Sequence, residues 1–176
     1  MAELSPRAGQ IVAAARELVE AGGADALTMR ALAARLGIRA PSLYKHFPDK
    51  SAVEAELIAI ALAELATALE RAERDGRGGG LAVLGRAYRA YALGQPHLYR
   101  LMSAGPLPRD LLPAGVEERA ALPLVRLVRG EAAARAVWGL AHGLVMLELD
   151  GRFPPGADIE AAWTAGMSAF TTAAAR

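Results

Sequence analysis

The chain reads as all-α, and three observations lead there. Apolar residues recur at helical spacing along nearly all of its 176 positions, no run alternating apolar and polar residues competes with them, and glycine and proline mostly fall between the periodic stretches. With 53% hydrophobic and 22% charged residues, the chain has ample apolar surface to bury and the composition of a folded protein. Cysteine is absent, which excludes disulfides, thiolate metal sites and cysteine nucleophiles.

The elements follow in order. Ser5 has the side chain of an N-cap and Pro6 fits a first turn, opening a helix whose inward stripe is Ile11, Ala15, Leu18 and Val19 and which ends at Gly22 and Gly23. Thr28 caps a second helix with Met29, Leu32, Ala33 and Leu36 inward, and Gly37 supplies the turn after it. A third, short helix is expected over 40–46, anchored by Leu43 and Phe47 and stopped by Pro48. Asp49 can cap the fourth, where Val53, Leu57, Ala61, Leu65 and Leu69 recur every four residues.

Arg74 to Gly80 breaks the pattern and reads as a loop; no strand precedes its glycines and no Gly-Lys-Ser/Thr follows, so it does not read as a phosphate cradle. Leu81, Leu84, Tyr88 and Tyr91 mark the next helix, Leu98, Leu101 and Met102 a shorter one, and 116–128 a helix that must bend at Pro123. From Ala132 to Leu149 nearly every residue is small or apolar, so this helix must be covered on several sides. Ala132, Ala136, Gly139 and Gly143 form a strip that another helix could approach closely, and Ile159, Ala162, Trp163, Gly166, Met167 and Phe170 form a stripe on the last helix. A second copy of the chain is the expected partner, the two terminal helices of each making a four-helix bundle about a two-fold axis.

The charge is local. Between Thr28 and Lys50 the cations Arg30, Arg35, Arg39, Lys45 and Lys50 face one acid, Asp49, an excess of four in a chain whose formal net charge is +1. Helix, glycine turn and a second short helix carrying positive and aromatic side chains is the layout of a helix-turn-helix that enters a DNA major groove. Any one of these arginines alone is more often a solvated surface charge; their clustering within the motif reverses that weighting.

The N-terminal 60 or so residues resemble the DNA-binding domain of TetR-family transcriptional regulators. The resemblance rests on Leu27-Thr28-Met29-Arg30, Ala33-Ala34-Arg35-Leu36-Gly37 and Ser42-Leu43-Tyr44-Lys45-His46-Phe47-Pro48-Asp49-Lys50. Trp138-Gly139-Leu140-Ala141-His142-Gly143 and Leu147-Glu148-Leu149-Asp150-Gly151-Arg152-Phe153 similarly resemble a C-terminal subgroup of that family, marked by Trp, His and Gly on the penultimate helix. The resemblance implies a DNA-binding domain over residues 1–48, and a helical ligand-binding and dimerisation domain over 49–176 with 49–73 as the connecting helix. It also implies a homodimeric, cytoplasmic, bacterial regulator, chiefly a repressor released from a pseudo-palindromic double-stranded operator by a small, largely apolar molecule.

By that resemblance Thr28, Tyr44 and Lys50 contact the DNA backbone, which sets register without reading sequence. Arg39, Ala40, Pro41, Ser42, Lys45 and His46 are left to face base edges, with Arg39 or Lys45 able to reach guanine and Ala40 or Pro41 a thymine methyl. Many relatives carry Ser or Thr where this chain has Arg39, which cannot cap the helix with a hydroxyl. The implied ligand cavity would be lined by Tyr88, Tyr91, Leu98, Met102, Trp138, His142 and Met146, each of which could equally be plain core. His142 reads more readily as a buried or interface histidine than as a metal ligand or base.

Catalysis is not expected, and neither is a metal or cofactor. His97 and His142 are too far apart for a HExxH pair, no Gly-x-Ser-x-Gly elbow occurs, and Glu148 and Asp150, two apart on a helix, diverge. Residues 1–10 lack the pattern of a secretory leader, and the apolar run from Val137 to Leu149 falls short of a bilayer span, so no membrane segment is expected. The alternative from a different class is a helical sensor or interaction protein that keeps the motif's shape without specific DNA binding.

Overall fold

The structure is a computed structural model that describes residues 4–76, 80–128 and 130–173, and among these it is helical with no strand. The helices are α1 (Pro6–Gly22), α2 (Met29–Arg35), α3 (Ala40–Leu43), α4 (Lys50–Asp75), α5 (Gly80–Gly94), α6 (Pro96–Ser103), α7 (Val116–Leu127), α8 (Glu131–Leu149) and α9 (Ile159–Ala173), with a 3-10 turn at Ala24–Ala26. Residues 77–79, which fall in the expected glycine loop, lie outside the described residues.

The helix starts follow from capping chemistry. A helix leaves its first amides without partners, and a short oxygen-bearing side chain just before it can accept from them. Ser5 Oγ accepts from the Ala8 amide at 3.2 Å, Thr28 Oγ1 from Ala31 at 3.0 Å and Asp49 Oδ1 from Ala52 at 2.9 Å. Removing the Thr28 hydroxyl (Thr28→Ala) is expected to lower stability by about 1 kcal/mol, read as a shift in urea midpoint at unchanged m-value. An unchanged midpoint would show that this cap contributes nothing.

The molecule packs as two units, Met1–Leu62 with Gln95–Val116, and Ala63–Gly94 with Glu117–Arg176. In the first, Ile11, Ala15, Val19, Leu27, Leu32, Leu43, Val53, Leu57, Leu98 and Tyr99 form the interior. The unit holding the helix-turn-helix therefore also contains α6, which packs on α1; Arg16 donates to the Gln95 side chain across that contact. Leu18, on the expected stripe of α1, is only half-buried.

In the second unit α5, α8 and α9 pack on one another. Arg89 of α5 donates two hydrogen bonds to Glu148 of α8, at 2.9 and 2.8 Å, and one at 2.8 Å to Glu160 of α9, and its guanidinium lies 5.9 Å from the centre of the Trp163 ring. Hydrogen bonding to Glu148 raises the Arg89 pKa further above its ordinary value, so the charge that ties the three helices is permanent. Arg119 of α7 makes a forked pair with Glu70 in the distal half of α4 at 2.8 Å, which holds that carboxyl below the usual carboxylate range. Proline inside a helix removes an amide donor, but α7 continues through the fully buried Pro123 as one helix.

One expected helix is shorter than its spacing predicts, and one apolar run is longer. The third helix ends at Leu43 instead of continuing to His46, because the His46 amide bonds the Leu43 carbonyl three residues back and Tyr44–His46 form a turn. α8 begins at Glu131, its alanines lengthening the apolar run counted from Val137, so that with a mean hydropathy of 1.2 it is long and apolar enough to cross a membrane by length and composition. Core helices of soluble proteins meet the same criterion, and α8 buries Ala134, Val137, Ala141 and Val145 along one face.

Candidate DNA-binding surface

The helix-turn-helix is built from short pieces held by a few large side chains. α2 is seven residues and α3 four, too short to persist alone, and the fully buried Leu32 and Leu43 with the buried Phe47 fix them to the interior. Gly37 sits at φ 65°, a left-handed conformation that costs glycine nothing, and the Ile38 amide returns to the Ala33 carbonyl at 3.0 Å to close α2. Arg39 occupies the N-cap position of α3 with extended backbone and no side-chain cap, while Pro41 takes the first turn, where its missing amide costs nothing.

Most of the residues expected to meet DNA lie outward. Thr28, Arg39, Pro41, Ser42, Tyr44, Lys45 and His46 are exposed, and Ala40 is half-buried. Tyr44 is 52% exposed, so its ring is presented rather than packed away. Arg30, Arg39 and Lys45 make no ion pair or hydrogen bond among the described residues, whereas Arg35 is paired with Glu17 of α1. Lys50 differs from the rest: its Nζ is 3.1 Å from the Ala24 carbonyl and 3.1 Å from Glu54 Oε1.

The residues expected to line a ligand cavity fall in different surroundings. Leu98 is fully buried and Met102 half-buried on α6 in the first unit. In the second unit Tyr88 is core, Tyr91, His142 and Met146 are half-buried, and Trp138 is 55% exposed, its ring centre 6.3 Å from that of His142. A depression between α5 and α9, lined by Gly85, Arg86, Arg89, Glu160, Trp163 and Met167, holds about 20 Å³, room for a water and not for a drug-sized molecule. None of the residues expected at a cavity line it.

Burial pushes the His142 imidazole below its ordinary value of 6.5. The folded chain then binds fewer protons than the unfolded one, so stability is full above pH 6.5 and falls as the pH drops from there toward the lowered value. Urea melts at pH 7.5 and 5.5 should show a smaller acid loss in His142→Gln than in the wild type, and equal losses would remove His142 from the account.

The residues expected at a dimer seam divide in two. On α8, Ala132, Ala136 and Gly139 are exposed and Gly143 half-buried, on the side opposite Ala134, Val137, Ala141 and Val145. On α9, Trp163 and Met167 instead face the chain's own interior, with Ile159, Ala162 and Phe170 half-buried. A Cβ at Gly166 would lie 2.9 Å from Leu140 Cδ2, so this glycine brings α9 close to α8 of its own chain. The exposed side of α9 carries Ala161, Thr164 and Ala165, small residues that an apolarity stripe does not find.

Comparison with known proteins agrees with this architecture. Residues 11–57 match the family described as bacterial regulatory proteins, tetR family, and residues 81–170 match the tetracyclin repressor-like C-terminal domain. An uncharacterized HTH-type transcriptional regulator of Mycobacterium tuberculosis is 31% identical over 151 residues, covering 80% of this chain and 69% of that protein. The class A tetracycline repressor from transposon 1721 of Escherichia coli is 41% identical over 78 residues, 44% of this chain and 35% of the repressor. A crystal structure of a TetR variant from Acinetobacter baumannii in complex with minocycline has a TM-score of 0.63 at 27% identity, covering 97% of this chain and 96% of the other. With a presented helix-turn-helix in its N-terminal part and matches to the family in both halves, the chain belongs to the TetR family of bacterial transcriptional regulators.

Proposed function

We propose that the protein is a cytoplasmic, homodimeric repressor that binds a pseudo-palindromic operator and releases it when a small, largely apolar molecule binds its C-terminal helices. The observation that carries the DNA reading is the trio of exposed, unengaged cations Arg30, Arg39 and Lys45 on the helix-turn-helix, together with a presented Tyr44. A cation with no internal partner breaks no contact within the protein when it meets a phosphate or a guanine edge, and each phosphate it neutralises releases a counterion. Tyr44 and the Thr28 hydroxyl supply neutral donors to the backbone, while Ser42, His46 and the apolar Ala40 and Pro41 lie beside them for base edges.

The dimer seam we propose runs along Ala132, Ala136, Gly139 and Gly143 of α8 with Ala161, Thr164 and Ala165 of α9, small residues that let two helix pairs approach closely. Recognition helices on one duplex must sit about 34–36 Å apart, so a ligand that changes that spacing by a few ångströms loses both half-sites together. α4 runs unbroken for 26 residues from the DNA-binding motif to its pair with α7 and is the natural lever. The half-buried Tyr91 of α5 and His142 of α8 offer polar tips, and Met146 apolar surface, of the kind such a ligand requires. Minocycline, bound by the Acinetobacter relative, is the first compound to test for release.

Salt tests the reading. Affinity for a duplex recovered by selection from random DNA should fall steeply with salt, and Arg39→Ala or Lys45→Ala should each lower affinity about tenfold. A phosphate-bound cation would also reduce the magnitude of the log–log slope by about 0.9 per subunit, whereas a base-reading one would relax preference at particular base pairs. Variants that bind like the wild type would refute the surface.

A further inference from the structure

The geometry points to Arg89 as a positioning residue for the dimer: we propose that its guanidinium, by joining Glu148 at the end of α8 to Glu160 at the start of α9, sets the angle between the two helices that form the seam. This rests on the seam proposed above and adds to it a residue that stands outside it, on α5. Nε and Nη2 fork onto Glu148 and Nη1 reaches Glu160, so one planar group fixes both carboxylates. The Glu148 side chain is only 15% exposed, whereas that of Glu160 is open to solvent.

Little else directs the start of α9. Among the described residues no backbone hydrogen bond crosses from 147–153 to 154–162; the Arg152 amide turns back to the Leu147 carbonyl, and Asp158 caps α9 locally at Ala161. The close approaches that hold α9 lie further along and within one turn, Gly166 against Leu140 of α8 and Met167 against Gly85 of α5. A helix gripped at one turn can pivot about it, and the buried Trp163 ring adds apolar contact, which has no preferred direction. Arg89 supplies a second fixed point, nearly two turns from the first. Ala161, the first seam residue of α9, follows Glu160 directly, so a pivot displaces it from the level of the α8 seam. Without the guanidinium the pivot is driven as well as freed, because two carboxylates that shared one cation are left close together, one of them largely withdrawn from water.

The test measures dimer dissociation by sedimentation equilibrium, and amide hydrogen exchange, on the full chain as wild type, Arg89→Met, Glu160→Ala, Glu160→Gln and the double variant Arg89→Met/Glu160→Ala. A positioning role predicts that Arg89→Met weakens the dimer at least about tenfold and speeds exchange across residues 159–165. Glu160→Ala should weaken it about fivefold, and Glu160→Gln, which keeps an acceptor for Nη1, should recover most of that loss. The double variant reverses the sign: once Arg89 is gone, removing Glu160 removes repulsion, so it should dimerise more tightly than Arg89→Met alone. A Glu160 that touches the second copy directly, or that only stabilises its own chain, would instead weaken the dimer by the same factor in both backgrounds. That result overturns the proposal, and so does an Arg89→Met dimer as tight as the wild type. Should Arg89→Met fail to fold, Glu160→Ala and Glu160→Gln decide alone, and a Glu160→Ala dimer and exchange pattern equal to wild type refute the clasp. A wild type that stays monomeric at micromolar concentration would sink the seam instead, and exchange, which needs no dimer, would still show whether Arg89 holds the start of α9.

Discussion

Gly139→Arg is expected to give a stably folded monomer that has lost at least about 100-fold in operator affinity. Gly139 is exposed in the middle of α8, and a Cβ built on it meets nothing within 4 Å. In a single chain the substitution therefore replaces a poor helix former with a good one, worth up to about 1 kcal/mol in favour of the fold. In a dimer sealed by small residues it places a guanidinium, and its two-fold copy, where no partner can pair them, at a cost of several kcal/mol. Sedimentation equilibrium at micromolar concentration separates the possibilities, and a variant that stays dimeric would move the seam off this face. The loss of binding follows from geometry, since a monomer holds one half-site and forfeits the effective concentration of the second.

Leu43→Ala should have the second-largest effect, with the opposite signature: DNA binding lost and the dimer kept. Leu43 is fully buried and is the last residue of a helix only four residues long. Large-to-small changes at such sites cost about 2–5 kcal/mol, and α3 has no length of its own with which to absorb the loss. Circular dichroism should show nearly all helix retained while operator affinity falls at least about 100-fold. Retained affinity would mean that Phe47 and the turn hold the recognition segment without Leu43.

The comparison with sequence shows which physics is local. The caps at Ser5, Thr28 and Asp49 were legible because capping needs one oxygen at one offset, and all three hydrogen bonds are present. The stripe Val53, Leu57, Ala61, Leu65 and Leu69 was legible because a long helix with one buried face repeats every turn, and all five are buried. The surface of α9 was not, because apolarity cannot distinguish burial in the same chain from burial against a copy, and Trp163 and Met167 turned inward. Nor was the end of α3, where a single amide choosing a carbonyl three residues back shortens a helix without altering its composition. Nothing in spacing alone showed that Lys50 would find Ala24, twenty-six residues away, before any DNA was present.

In the proposed dimer, the half-covered state of α8 should also make thermal resistance depend on how much protein is present. A chain that leaves Trp138, Leu147 and a row of alanines facing water gains from mass action whenever a twin is available. Each tenfold dilution should weaken that gain by about 1.4 kcal/mol per dimer. The melting temperature should accordingly climb with concentration, and a newly made copy is at its least stable while it is still rare.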